Sequence, residues 1–383
     1  MRRITLAVIL FILLPLVSYS QISIRIFARS KPSSLIFSTV KGACILTDGA
    51  AGEVRLSQGE TVAVTRYGDR VIYSTLSGIR GVSDSLAFSP AVSGALFTVR
   101  APGSSEPEKN LTGTLTVTSF PGSLRILNIT TIEECLPGVV RAEAGKYGPS
   151  HYYGAQAVVA RTYICRNIDR HNLDGYNLCD DIHCQVYPGV VTDSVIVNAC
   201  LSTAGLVLTD RDSIMIEAAF HGNCGGETAS SADVWLAGYP YLVSVQDPWC
   251  SYSASSTWKR SIPRSEWNNY LRSKGIFPGT EGAIYSANTP APGRITNRTV
   301  QGKKLWSEEI RLRFGLRSAY FSLSPAGDSI VFNGRGYGHG VGLCQDGAKH
   351  MAEKKMSYNK IIGFYYPGTI IIDVKYARRP ARP

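Results

Sequence analysis

Residues 133–167, EECLPGVVRAEAGKYGPSHYYGAQAVVARTYICRN, constrain the fold of this chain more than any other stretch. They predict a helix from Glu133 to Ala144, a Gly/Pro break over residues 145–149, and a second helix from Ser150 to about Ile168. The second helix is rich in small residues, Gly154, Ala155, Ala157 and Ala160, which let another backbone or a substrate come close. It also sets Gln156 and Arg161 among apolar neighbours. Glu143 falls where the first helix ends, and a lone carboxylate at such a junction is a candidate acid or base.

Around this pair of helices the chain changes character. It opens with Arg2 and Arg3, an apolar run over residues 4–17 and Ser18-Tyr19-Ser20, which reads as a cleavable signal peptide (residues 1–20) and predicts an exported protein; an uncleaved anchor is the alternative. Residues 21–105 alternate short apolar runs with Gly, Asp and Ser, the pattern of a β-rich N-terminal module. Residues 101–109, APGSSEPEK, form the best linker, so a larger domain is expected over residues 106–376, beginning with strands at 113–119 and 123–128. A hairpin is expected around Asp210-Arg211-Asp212, and helices from Gln345 to Glu353 and around Tyr358 to Tyr365. Residues 377–383 make a basic tail. The whole is an α+β protein of mixed helices and short antiparallel strands.

Charge narrows the partners. The 383 residues carry a formal charge of +11, spread without a Lys/Arg block, which does not look like a nucleic-acid stripe; a diffuse basic surface suits an anionic polymer, and simple solubility explains it equally. Nine cysteines in an exported chain imply oxidation, and their odd number leaves at least one unpaired unless it is buried, bound to metal or joined to a partner.

Three segments carry chemistry besides Glu143. The loop at 169–190 gathers His171, Cys179, His183 and Cys184, which are zinc donors in type, while a Cys179–Cys184 disulfide explains the cysteines equally. In HGNCGGETASSADVW (221–235), Gly225 and Gly226 leave bare amides and Trp235 can stack on a sugar. Cys224 is either a nucleophile paired with His221 or half of a disulfide. In residues 334–342, GRGYGHGVG, glycine occupies every second position; an extended strand would put Arg335, Tyr337 and His339 on one face and leave the other bare.

The same residues resemble a known family. Glu133, Glu134, Leu136, Gly138, Val139, Val140 and Glu143, then Gln156, Ala157, Val158, Ala160, Arg161, Thr162 and Tyr163, match the motif of the stage II sporulation protein D family, which includes the amidase-enhancer proteins. Gly225, Gly226, Thr228, Ser231, Asp233, Val234 and Trp235 fit its Gly-Gly loop, with Cys224 in place of a small hydroxyl residue. Residues 334–346 resemble its Gly-Arg-Gly-Trp-Gly-His-Gly-Val-Gly-Met-Ser-Gln-Trp run, with Tyr337, Leu343, Cys344 and Asp346 as departures; Ala144-Gly145 departs from Met-Pro. The resemblance runs from about residue 110 to 372. It implies a glycan-binding groove and lytic transglycosylase action on peptidoglycan strands, with Glu143 as acid then base. Arg161 and His339 would support that chemistry, and Gln156, Gly225, Gly226, Trp235, Arg335 and Tyr337 would bind the glycan. His339 held by backbone is the structural alternative. No cofactor is needed for such chemistry. Zinc near Cys184-Gln185-Val186-Tyr187, as in some members, would be structural. The alternatives are a non-catalytic wall-binding activator of a cell-wall amidase, and a zinc amidase, which needs an open metal position.

Overall fold

The computed structural model describes residues 21–49, 52–235, 237–251, 253, 256–279, 282, 285 and 293–381. The expected leader and the last two residues of the tail lie outside them.

Period-two patterning builds the front of the molecule. In Thr61–Tyr67 the side chains of Val62 and Val64 are buried while Ala63 and Thr65 face solvent. Strands of this kind form two sheets. One runs in the order Leu178–Cys179, Gln21–Arg25, Ser123–Thr131, Thr114–Phe120, Ser85–Pro90, Cys44–Asp48, Gly52–Leu56. The other runs Lys109–Leu111, Leu96–Arg100, Ser34–Lys41, Thr61–Tyr67, Arg70–Thr75, Arg80–Ser83. Phe37 of the second sheet stacks on Phe88 of the first, ring centroids 4.2 Å apart, which closes the sandwich.

The strands do not divide at 105/106. The hairpin Thr114–Phe120/Ser123–Thr131 lies between Gln21–Arg25 and Ser85–Pro90, and Lys109–Leu111 pairs with Leu96–Arg100. The linker stretch is thus a connection inside one sandwich. Later chain also returns to it. Leu178–Cys179 adds in parallel to Gln21–Arg25, and buried Lys109 pairs with Asp180 at 3.0 Å, whose carboxylate accepts the Phe27 and Ala28 amides.

A helical layer follows. Helix α1 (Ile132–Ala144) opens on a capping box, in which Thr131 accepts the Glu134 N–H and Glu134 accepts that of Thr131. Helix α2 (Ser150–Arg166) has every residue from 152 to 162 buried, as its small residues allow. It is the axis around which α1, α3 (Ser194–Ser202), α7 (Gln345–Glu353) and α8 (Tyr358–Tyr365) pack. The short α4 spans Ser231–Val234. Strand Leu206–Thr209 pairs with Ile370–Asp373 from the far end of the chain; towards the expected hairpin partner it keeps a single bridge, Thr209 to Met215.

Residues 257–335 form a separate unit. Its three-stranded sheet orders Thr257–Pro263, Ser329–Arg335, Tyr320–Ala326, covered by α5 (Arg264–Ser273) and α6 (Ser307–Phe314). Trp258, Trp267, Phe314, Phe321 and Phe332 give it a hydrophobic core distinct from that of the sandwich and helical layer.

Candidate functional site

The last carbonyls of a helix lack partners within it. At the end of α1 three in succession are caught by side chains: Gln345 donates to the Glu143 carbonyl at 2.9 Å, Tyr152 to Ala144 at 3.3 Å and Tyr153 to Gly145 at 3.2 Å. Gly145 then turns the chain with φ 78°. The Ala144-Gly145 step is therefore fixed, with the Glu143 backbone at the centre of the clasp.

The Glu143 carboxylate itself is half-buried, and Oε1 accepts the Val186 N–H at 3.4 Å. Among the described residues it has no ion-pair partner within 4 Å. Burial pushes its pKa above the ordinary glutamate value, partly offset by the Val186 amide. That is the direction a proton donor needs.

Gln156 acts one step back. It is fully buried, and its Oε1 lies 3.5 Å from Gln345 Nε2, so it orients the residue that grips Glu143 and is not itself open to a glycan. Its Nε2 has no partner among the described residues, which leaves a buried donor for a water. Gln345 was missed in the sequence, although it stands at the Gln of the resembled Met-Ser-Gln.

Arg161 belongs elsewhere. Its guanidinium meets Glu133 in two parallel bonds of 2.7 and 2.8 Å and also donates to the Leu206 and Cys200 carbonyls. Glu133 precedes Glu143 by ten residues of helix, about 15 Å. Arg161 thus joins helices and does not support the carboxylate at Glu143. Glu133, part-buried in the first turn of α1, is its counter-ion.

The glycine-rich run is not an extended strand. The strand ends at Arg335, and Gly336, Gly338, Gly340 and Gly342 take φ of 79°, 101°, 85° and 73°. Left-handed backbone at every second residue turns the intervening side chains apart. Tyr337 is 53% exposed beside Arg317, whereas Arg335 is half-buried against Tyr320. His339 turns inward to half-buried Trp235, ring centroids 5.6 Å apart. Its Nδ1 accepts the Val341 N–H at 3.0 Å. Burial, then the charge of Arg311, draws its pKa down to about 4 against a bond to the Phe220 carbonyl. It is a neutral, backbone-satisfied histidine.

Gly225 and Gly226 do not offer bare amides. The first donates to Asn223 Oδ1 at 2.8 Å and the second to Cys250 Sγ at 3.1 Å. Nor do His221 and Cys224 form a dyad: His221 Nδ1 faces the Val341 carbonyl at 3.0 Å, while Cys224 Sγ faces Asp247 and Cys250. Asp346 accepts from Asn223 Nδ2 at 2.9 Å.

His171, Cys179, His183 and Cys184 do converge, with their ligand atoms all within 4.8 Å of one another. Cys184 Sγ is 3.5 Å from His171 Nε2 and 3.8 Å from His183 Nδ1. Asp174 holds the other nitrogen of His171 at 3.0 Å, the outer-shell contact that aims a ligating imidazole. The donor set fits tetrahedral zinc and closes it on four sides. Two residues on, Val186 makes the bond to Glu143.

Comparison with known proteins bears on the same residues. A family model described as stage II sporulation protein matches residues 121–209. Stage II sporulation protein D of Bacillus amyloliquefaciens is 32% identical over 256 residues, covering 63% of this chain and 74% of the relative. An uncharacterised protein of Brachyspira hyodysenteriae is 28% identical over 275 residues, covering 71% and 74%. The amidase enhancer of Bacillus subtilis is 25% identical over 288 residues, covering 62% of this chain and 40% of its own length.

Proposed function

We propose, for a chain that belongs to the stage II sporulation protein D family, that it is an exported lytic transglycosylase which cleaves the MurNAc–GlcNAc bond of peptidoglycan glycan strands. Family membership supports the cell-wall role. The observation that carries the chemistry is Glu143: a carboxyl without a counter-ion among the described residues, held by a clasped backbone, with its pKa pushed up by burial.

Glu143 gives its proton to the glycosidic oxygen as the bond from the anomeric carbon breaks. The carboxylate left behind takes the proton of the same sugar's 6-hydroxyl while O6 closes on the anomeric carbon. The product is a 1,6-anhydro end, and no water is consumed. One carboxylate serves both steps, unlike the paired carboxylates of hydrolytic glycosidases. Exposed Tyr337 would offer its ring to a sugar of the strand, with half-buried Arg335 and Trp235 as further contacts of a groove. The Val186 amide orients the carboxylate throughout.

Zinc at His171, Cys179, His183 and Cys184 would supply no chemistry to the reaction. Its four protein ligands leave no open position, so it would order the loop that presents Val186. A zinc amidase is correspondingly disfavoured.

The second reading is a non-catalytic activator of a cell-wall amidase, favoured by the likeness to the amidase enhancer. Digestion of peptide-free glycan strands with the mature protein and with Glu143→Gln, read by mass spectrometry, separates the two. Anhydro-ended fragments from the parent alone are expected. Glycan binding by both proteins without cleavage would replace the enzyme with the activator.

A further inference from the structure

A second cluster lies beside Gly225 and Gly226. Cys224 and Cys250 from that loop, Asp247 between them and Cys344 at the start of α7 bring their ligand atoms within 4.8 Å of one another. Cys224 Sγ is 3.2 Å from Cys250 Sγ and 3.1 Å from Asp247 Oδ2. All four side chains are at most 1% exposed.

Hydrogen-bond donors converge on the sulfurs and on the carboxylate. Cys344 Sγ accepts the amides of Cys224 at 3.2 Å and of Gly347 at 3.4 Å, the latter from the first turn of α7. Cys250 Sγ accepts that of Gly226. Main-chain N–H groups and a helix start both favour negative sulfur. Asp247 is aimed by Trp249 N–H at 2.8 Å on one oxygen and by the Tyr365 hydroxyl at 2.9 Å on the other. A side chain at Gly347 would put its Cβ 2.5 Å from Asp247 Oδ2, so the bare position is what lets the carboxylate in. Among the described residues no Lys, Arg or His lies within 4 Å of Asp247. A buried carboxylate beside sulfurs that accept main-chain N–H groups is a donor set that a bound cation would stabilise.

We infer that Cys224, Asp247, Cys250 and Cys344 form a second metal site, taking a thiophilic divalent cation such as zinc in a closed tetrahedral shell. Zinc bonds of about 2.3 Å to sulfur and 2.0 Å to oxygen place neighbouring ligand atoms roughly 3.5–3.8 Å apart, within reach of the present spacings by small rotations. A Cys224–Cys250 disulfide accounts for less. It would leave Asp247 without a counter-charge and Cys344 a lone thiol with two amides aimed at it. Two of the ligands, Cys224 and Cys344, stand where the resembled motif has hydroxyl residues, so a pair of separate departures meets at one point. Cys344 directly precedes Gln345, so the ion would tie the 224–250 loop to the residue that grips Glu143. The inference does not depend on the enzymatic reading.

The test uses the mature chain purified without reductant or chelator. Metal content is measured for the parent, for His171→Ala with Cys184→Ser to empty the first cluster, and for that variant with Asp247→Asn or Cys344→Ser added. The expected result is one equivalent of metal that survives loss of the first cluster and disappears with either added change. In the parent, peptide mapping after alkylation reads the same site without any substitution. Cys224, Cys250 and Cys344 should be protected until a chelator is added, then all label. A Cys224–Cys250 disulfide peptide, or metal content unchanged by the added substitutions, overturns the site.

Discussion

The two ends of α1 each hold a glutamate and treat it in opposite ways. At the first turn Glu133 meets Arg161 through two bonds, takes the Gly205 amide at 3.2 Å as well, and sits where the helix dipole favours negative charge. At the last turn Glu143 has one long amide contact, no cation, and the unfavourable end of the dipole. The first is paired, and its role is to join α1 to α2 and α3. The second has no ion-pair partner among the described residues and is half-buried, so its hold on a proton is strengthened. The difference teaches that burial alone does not single out a candidate acid, whereas burial without an ion-pair partner does.

The sharpest way to break the comparison is to neutralise each end. Glu143→Gln should lower glycan cleavage by at least about a hundredfold, the usual range for a positioned acid–base group, with circular dichroism unchanged. Arg161→Ala should instead cost roughly 3–5 kcal/mol of stability by stranding Glu133, seen in urea unfolding, while cleavage per folded molecule stays near parent. If Arg161→Ala lost activity at full stability, the assignment of the two ends would be wrong. Gln345→Ala removes one of the three clasps; about 1 kcal/mol of stability and a roughly tenfold loss in cleavage are expected.

The smallest effect is the most diagnostic. Because the folded pKa of Glu143 is raised, its protonated form contributes stability below the unfolded value, about 4.3, and that contribution is lost as pH rises through the folded pKa. Glu143→Gln should therefore melt a few degrees above the parent at neutral pH, with the gap closing in acid. Cleavage by the parent should fall with rising pH across the same interval, since the acid form starts the reaction.

Local pattern told most about α1 and α2. The break at residues 145–149, the small residues of α2 and the position of Glu143 were all legible, as were α7 and α8, because helices are written in contiguous sequence. Partnerships across the chain were not. Arg161 read as a catalytic helper because nothing local shows that Glu133, 28 residues earlier, lies beside it. The alternating glycines of residues 334–342 suit a bare-faced strand and a series of left-handed turns equally, and close packing selects the turns: a Cβ at Gly336 would stand 2.5 Å from the Asn223 carbonyl oxygen. The unit at 257–335 escaped notice because its short strands and helices repeat the texture of the rest. Cys224, Cys250 and Cys344 were visible as residues but not as neighbours, since the fold alone joins them.

That unit leaves and rejoins the chain at one seam. Thr257 and Arg335 face each other on adjacent antiparallel strands, so the two ends stand about 5 Å apart. Its core is separate from the host's, and Arg294 reaches back to the Cys224 and Glu227 carbonyls. Residues 257–335 are therefore an exchangeable cassette: a one- or two-residue bridge could close the host without rethreading it, or another small domain with neighbouring termini could be grafted there. Any replacement has to bring its own donor for those two carbonyls.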